Sequence, residues 1–285
     1  MGEKAQRRAG PGGESAARPA PTQGLGRQSR VRLRGVGFDS LTEDEVSEHV
    51  VTSAAAGVGG TVVTPNIDIL RLASRDDDLR RLVDGSSLVV ADGVPLLWAA
   101  RLAGEALAGQ VAGSSLIFSL SQAAARRGVS IFLLGGAPGV AEKAGAALQV
   151  KYPGLRVAGV NCPPLGFESD PALIDAVRAA VTAAGPGIVF CGLGFPKQER
   201  LAAALAPAVP GTWFIGCGAA ITFAAGQIPR APRWMQRSGL EWVHRLSREP
   251  RRLFRRYIVD DLPFAVLLLA RSWRSGRARR TGGNA

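Results

Sequence analysis

Asp92 follows the apolar run Leu88–Ala91 and precedes Gly93, so reading that run as a strand puts its carboxylate at the rim of a sheet. A partly desolvated carboxylate beside a substrate hydroxyl can act as a general base, an effect worth roughly 10²–10⁴ in rate. The same side chain would serve equally well to close an Asx turn or cap a helix that starts near Pro95. Thr64 and Asn66, either side of Pro65, precede a helical pattern in the same manner, and capping alone would account for Asn66. Between Gln227 and Tyr257 stand nine arginines, Arg245, Arg252 and Arg255 among them, with only two acids. Trp234, Trp242, Leu253 and Phe254 are interleaved with them, which suits a partner that is anionic and partly apolar.

Glycine-rich stretches follow several other apolar runs. Gly135 and Gly136 lead into Pro138 and Gly139; Pro163-Pro164-Leu165-Gly166-Phe167 forms a second turn; Gly194 stands shortly before Lys197, Gln198 and Glu199; and Gly216-Cys217-Gly218 forms a fourth. Glycine lets backbone amides approach an anion closely, and the helix that follows adds a partial positive charge, so a phosphate-bearing ligand is expected. Purely structural βα turns also use glycine, and it is the number of such turns in one sheet that gives them weight. The Gly135–Gly139 turn lacks the spacing GxGxxG, which argues against a nicotinamide cofactor. Asp76-Asp77-Asp78 has the form of a metal-binding Asp-x-Asp, yet it opens a short helix where acids complement the dipole and pair with Arg80 and Arg81. No metal and no cofactor are expected.

These residues need a scaffold, and the chain alternates short apolar runs with helical patterns, the signature of βα units and a mainly parallel sheet. Strands are expected at Val31–Val36, Thr61–Val63, Leu88–Ala91, Val129–Leu134, Leu155–Val160, Ile188–Cys191 and Thr212–Ile215. Helices are expected at Glu43–Ala55, Ile67–Ser74, Pro95–Ala103, Ser115–Arg126, Val140–Tyr152, Pro171–Ala183 and Gln198–Ala206. Two more belong to the basic segment, at Gly239–Arg248 and from Pro250 to near Asp260, with Arg252, Arg255 and Arg256 on one face of the second. In such α/β sheets ligands bind outside the carboxyl ends of the strands, where Thr64, Asn66, Asp92 and the glycine turns fall.

At 285 residues and 46% hydrophobic content, the chain can bury a substantial core. Its net charge of +12 is unevenly placed: residues 1–34 contribute +6, residues 227–285 contribute +10, and the stretch between them is −4. A mildly acidic body with basic ends does not suit a nucleic-acid groove, and no nucleic-acid partner is expected. The three cysteines form no CxxC and are odd in number, so a reducing compartment is the default. Residues 1–30 read as a disordered basic tail without a signal-peptide apolar core. Residues 31–226 are the α/β core, 227–262 a basic helical appendage that associates with a membrane, and 263–285 an apolar then basic tail.

As a set, the segments TPNIDILRLA, VVADGVPLLWAARLAG, VAGSSLI, FLLGGAPGVAEKA, GLGFPKQE and RAPRWMQRSGLEWVHRLSREPRRLFRRY resemble the WecG/TagA/CpsF family of bacterial glycosyltransferases, in order from about Val31 to Tyr257. The resemblance implies a Rossmann-like core that inverts configuration without metal. The donor would be a UDP-sugar, typically UDP-N-acetylmannosamine, and the acceptor a sugar on undecaprenyl diphosphate. On the matching positions Asp92 would be the base, Thr64 and Asn66 would line its pocket, and Gln198 with Glu199 would help to hold the donor. The carboxyl-terminal arginines would neutralise diphosphate and, with their aromatic neighbours, bring the protein to the cytoplasmic face of an anionic membrane; a homo-oligomer is compatible with this. One position departs from the pattern: members commonly have Asp in a segment GAxFDFxAG, and this chain has GAAITFAAG, with Thr222 there. The Pro163–Phe167 loop is closer to a branch concerned with exopolysaccharide, for which UDP-glucose or UDP-glucuronate is the alternative donor. A non-catalytic membrane binder is a further alternative, one that leaves Asp92 and the glycine turns without a task.

Overall fold

The computed structural model describes residues 30–229, 231–232, 234–235 and 238–282, with Arg252, Thr281 and Gly282 described by backbone alone. A short hairpin, β1 (Val31–Leu33) and β2 (Val36–Phe38), leads into α1 (Glu43–Ala55), β3 (Gly60–Val63), α2 (Ile67–Ala73), α3 (Asp77–Asp84), β4 (Leu88–Val89), α4 (Val94–Leu102) and α5 (Gly113–Arg127). There follow β5 (Ser130–Gly135), α6 (Val140–Lys151), β6 (Arg156–Asn161), α7 (Pro171–Ala184), β7 (Ile188–Gly192), α8 (Lys197–Leu205), β8 (Trp213–Gly216) and α9 (Ala220–Ala224). The six strands from β3 to β8 pair in the order β4-β3-β8-β7-β5-β6, every pair parallel. This is the expected α/β architecture with a parallel Rossmann-like sheet.

The sheet is apolar on both faces, as a sheet roofed by helices on each side must be. Ile131 and Leu133 of β5 join Ile188, Phe190, Trp213 and Ile215 in one cluster, which α1, α5, α6 and α9 cover. The alternate residues Phe132 and Leu134 point the other way, into a cluster with α7 and α8, while Val63 and Val89 face α2, α3 and α4. Helix α1 shows how local chemistry sets the boundaries. Thr42 and Glu45 form a reciprocal capping box, three acids complement the dipole in the first turn, and Val46, Val50 and Val51 face the core.

The amino-terminal strand differs from expectation. Val31–Val36 is not one strand of the main sheet but most of a separate antiparallel hairpin, in which Val31 pairs with Phe38 and Leu33 with Val36. The turn sits at Arg34-Gly35, whose φ values of 52° and 90° suit a primed two-residue turn. The carboxyl-terminal region differs too. Helices Glu241–Arg248 and Pro250–Phe254 are present, but the chain then winds as a π-helix over Arg255–Asp261 and runs on as a 21-residue helix, Leu262–Gly282, over the stretch read as an apolar then basic tail, for which no helix was expected. Phe264, Leu268, Ser272 and Gly276, one turn apart, lay this last helix against α4. The approach is so close that a Cβ at Gly276 would fall 2.1 Å from the Leu102 carbonyl oxygen. Among the described residues no helix is long and apolar enough to cross a membrane.

Candidate functional site

The loops after β3 and β4 are stitched together by backbone bonds. Val90 N–H donates to the Val63 carbonyl at 3.0 Å, and Asp92 N–H to that of Pro65 at 2.9 Å. These bonds bring Thr64, Asn66 and Asp92 to one end of the sheet. Asn66 caps α2, its Oδ1 accepting from Ile69 N–H at 3.0 Å, which leaves the amide nitrogen for another task. Thr64 is buried, at 8% exposure. Asp92 Oδ1 accepts from Gln110 Nε2 at 3.3 Å, and Val111 N–H donates to the Ala91 carbonyl at 2.8 Å, so a third loop closes over the first two.

That third loop delivers the amino end of α5 to the same rim. A Cβ at Gly113 would come within 2.8 Å of the Gly216 carbonyl oxygen and 3.0 Å of Thr64 Oγ1, so only glycine lets the helix abut the ends of β3 and β8. The residue before it is Ala112, which offers no side-chain cap. The positive end of a 15-residue helix dipole therefore faces the rim beside Thr64. Gln110 and Gly113 were not singled out as site residues from the sequence. The available signal was position, since both lie in the loop that opens the helix after α4, and nothing local revealed that this loop folds back over Asp92.

Gln198 and Glu199 lie one strand further along, beneath the loops after β7 and β8, at 5% and 6% exposure. Gln198 Oε1 accepts from the backbone N–H groups of Gly194 and Gly218, at 3.1 and 3.3 Å, which fixes the orientation of its amide. Its Nε2 donates to Glu199 Oε1 at 2.8 Å. Burial pushes the Glu199 carboxyl up to about 7, against the hydrogen bonds that favour its charge, and Oε2 is buried without a hydrogen-bond partner among the described residues. The pair thus braces two rim loops. Burial also raises the thiols of Cys191 and Cys217, so neither supplies a thiolate nucleophile at neutral pH.

The other expected anion-binding positions are more dispersed. Gly135 is required by packing, since a Cβ there would meet the Gly192 carbonyl oxygen at 2.7 Å. It sits three strands from β3, about 14 Å away at ordinary strand spacing, so Gly135, Gly136 and exposed Pro138 could share a ligand with Asp92 only if it were elongated. The Lys197 ammonium is ion-paired with Glu168. The acids of Asp76–Asp78 act as helix-start groups: Asp76 caps α3, Asp77 pairs with Arg80, and Asp78 pairs with Arg81.

The basic segment meets the core at three places. Arg245 lines a cleft of about 220 Å³ between the Glu241–Arg248 helix and α9, together with Thr222, His244 and Arg248. At Gly239 a Cβ would press on Val94 at 2.8 Å, so the chain entering that helix packs on the start of α4, two residues from Asp92. Arg256 pairs with Asp68 on α2. Arg255 is exposed while Arg256, next to it in the π-helix, is drawn to Asp68, so the two do not act as one face. The side chain of Arg252 and all of Arg230, Arg233 and Arg237 lie outside the described residues.

Comparison with known proteins bears on this geometry. Residues 31–278 match the model of the Glycosyl transferase WecG/TagA/CpsF family. One curated relative, from Bacillus subtilis (strain 168), is 29% identical over 210 residues, covering 74% of this chain and 80% of the relative. It is an N-acetylglucosaminyldiphosphoundecaprenol N-acetyl-beta-D-mannosaminyltransferase.

Proposed function

This chain belongs to the WecG/TagA/CpsF family of glycosyltransferases, and from that premise we propose that it moves N-acetylmannosamine from a UDP donor to a sugar borne on polyprenyl diphosphate. The observation that carries the reading is the convergence of Asp92, Thr64 and Asn66 at one end of the sheet, beside the start of α5 and below a basic segment. In this mechanism Asp92 takes the proton of the acceptor hydroxyl as its oxygen attacks the anomeric carbon. The bond from that carbon to the diphosphate oxygen breaks in the same displacement, and its electrons leave with UDP. A single displacement inverts the anomeric configuration. Gln110 Nε2 donates to Asp92 Oδ1 and helps to orient the carboxylate.

The leaving diphosphate gains negative charge as the bond breaks, and donors fixed in place beforehand stabilise it best. The amino end of α5 and the guanidinium of Arg245 are the groups assigned to it, the latter for its planar fork that matches phosphate oxygens. Thr64 and the Asn66 amide position the donor sugar, while Gln198 and Glu199 hold the loops that surround it. No divalent ion is assigned a step.

The acceptor resides in a membrane, and the surface of the carboxyl-terminal region suits one. Trp242, Phe254, Val259, Val266 and Trp273 are each more than a third exposed, among arginines. An amphipathic, basic surface of this kind binds an anionic bilayer at the headgroup level. Peripheral association with the cytoplasmic face is the corresponding location.

A donor screen by mass spectrometry, with short-chain polyprenyl-diphosphate N-acetylglucosamine as acceptor, tests the reading. UDP-N-acetylmannosamine should give a product one N-acetylhexosamine heavier. Transfer only from UDP-glucose or UDP-glucuronate would replace this donor with the alternative drawn from the Pro163–Phe167 loop. No transfer from any UDP-sugar would contradict the reading.

A further inference from the structure

Helix α2 and the π-helical turn Arg255–Asp261 are far apart in sequence, and their charged groups meet. Arg71 Nε donates to Asp261 Oδ1 at 3.1 Å, and its Nη2 to Asp68 Oδ1 at 2.5 Å. Arg256 Nη2 lies 2.8 Å from Asp68 Oδ2, and its Nε is 3.8 Å from Asp261 Oδ2. Carboxylates and guanidiniums thus alternate round a closed ring, with Arg71 and Asp261 only 9% and 8% exposed. Buried charges are tolerated when each has partners of opposite sign, and removing one member leaves the others uncompensated. The balance is close: burial, and after it Asp68, push the Asp261 carboxyl up to about 6, while the two guanidiniums pull it down. For Arg71 burial acts to lower the guanidinium, but Asp261 and Asp68 outweigh it and hold it above its ordinary value.

Position gives the ring its meaning. Asp68 and Arg71 ride on the helix that Asn66 caps, immediately behind the rim loops that carry Thr64 and Asp92. Arg256 and Asp261 bound the turn that ends the basic segment, and Leu253 and Phe264 are buried on either side at 1% and 5% exposure. We propose that Asp68, Arg71, Arg256 and Asp261 are positioning residues, a clasp that fixes the basic segment over the sheet rim and so presents Arg245 to diphosphate. The proposal rests on the function assigned above for what that segment meets. Arg256 belongs on this account to the scaffold and makes no contact with phosphate.

The test uses full-length protein carrying Asp68→Asn, Arg256→Gln, both together, or Arg256→Lys. Two quantities are read: limited chymotrypsin cleavage at Phe254 and Tyr257 without substrate, and steady-state kinetics with the short-chain acceptor. Each single loss should speed cleavage about fivefold and lower kcat about tenfold, because Arg245 acts on the leaving diphosphate, with the acceptor KM within about threefold of wild type. The double variant should be no worse than the worse single, since both break one clasp. Arg256→Lys, which keeps the charge, should recover most of the protection. Unchanged cleavage in the single variants, or no recovery with lysine, would overturn the clasp. Losses that multiply to about a hundredfold in the double variant would give Arg256 its own contact with substrate and also overturn it. Cleavage is read without turnover, so a protein that shows no transfer would contradict the assigned function while the clasp is still decided.

Discussion

At the scale of single residues, Asp92 carries the most weight. Replacing it with Asn keeps the shape and the bond from Gln110 but removes the base, so turnover should fall at least about a hundredfold while UDP binding by calorimetry is preserved. Glu199 gives a second, independent check. Its folded-state value lies near 7, above the ordinary 4.5, so its contribution to stability is present below about 4.5 and is lost as pH rises through about 7. The size is on the order of 3 kcal/mol. Thermal unfolding from pH 5 to pH 8 should therefore show wild type losing several degrees that Glu199→Gln retains; parallel profiles would mean that Glu199 is ionised throughout. The place of Asp92 at the sheet rim was legible in the sequence because it directly follows an apolar run, a position that suits a base, an Asx turn and a helix cap alike. Gln110 was not, since its bond to Asp92 depends on a loop 18 residues away folding back. Lys197, expected to bind substrate, is ion-paired with Glu168, a partner that no local signal in the sequence indicates.

At the scale of elements, the βα units followed from apolar periodicity because the inner strands are buried on both faces, whereas the edge strand β6 has no fully buried residue. Asn66 shows where local rules leave a choice, since a helix cap needs only its oxygen and a sugar pocket would use its nitrogen. Asn66→Asp keeps the capping acceptor and suits the helix dipole, so the melting temperature should stay within about 2 °C of wild type. Transfer should nevertheless drop about tenfold or more if the amide nitrogen contacts donor. Full activity would reduce Asn66 to a cap. Two elements resisted reading for identifiable reasons. Arg34-Gly35 splits what looks like one strand, because a tight turn needs only two residues with positive φ. The helix from Leu262 to Gly282 carries its docking stripe as Phe264, Leu268, Ser272 and Gly276, half of it too small or polar to register as a hydrophobic face.

At the scale of the whole molecule, the uneven charge visible in the sequence becomes a mildly acidic α/β body with a basic, aromatic region laid across one side. That region is integral to the packing. Phe264 and Leu268 belong to the same apolar cluster as Val31, Leu70 and Leu96, so ending the chain at residue 226 should destabilise the core as well as strip the arginines. A lower melting temperature for that truncation, by about 5 °C or more, is the expected result. Retention on vesicles containing anionic lipid should weaken steeply between about 0.1 and 0.5 M salt, as screening of surface charge requires. Salt-independent retention would place the apolar side chains, not the arginines, in control. The central claim is that Asp92 and fixed cationic groups suffice for transfer. The most direct test measures transfer from UDP-N-acetylmannosamine to the polyprenyl-diphosphate acceptor in excess EDTA, for wild type and Asp92→Asn side by side. The account predicts full wild-type turnover with chelator present and a loss of about a hundredfold or more in the variant. Turnover abolished by EDTA and restored by Mn²⁺, or a variant as active as wild type, would contradict it.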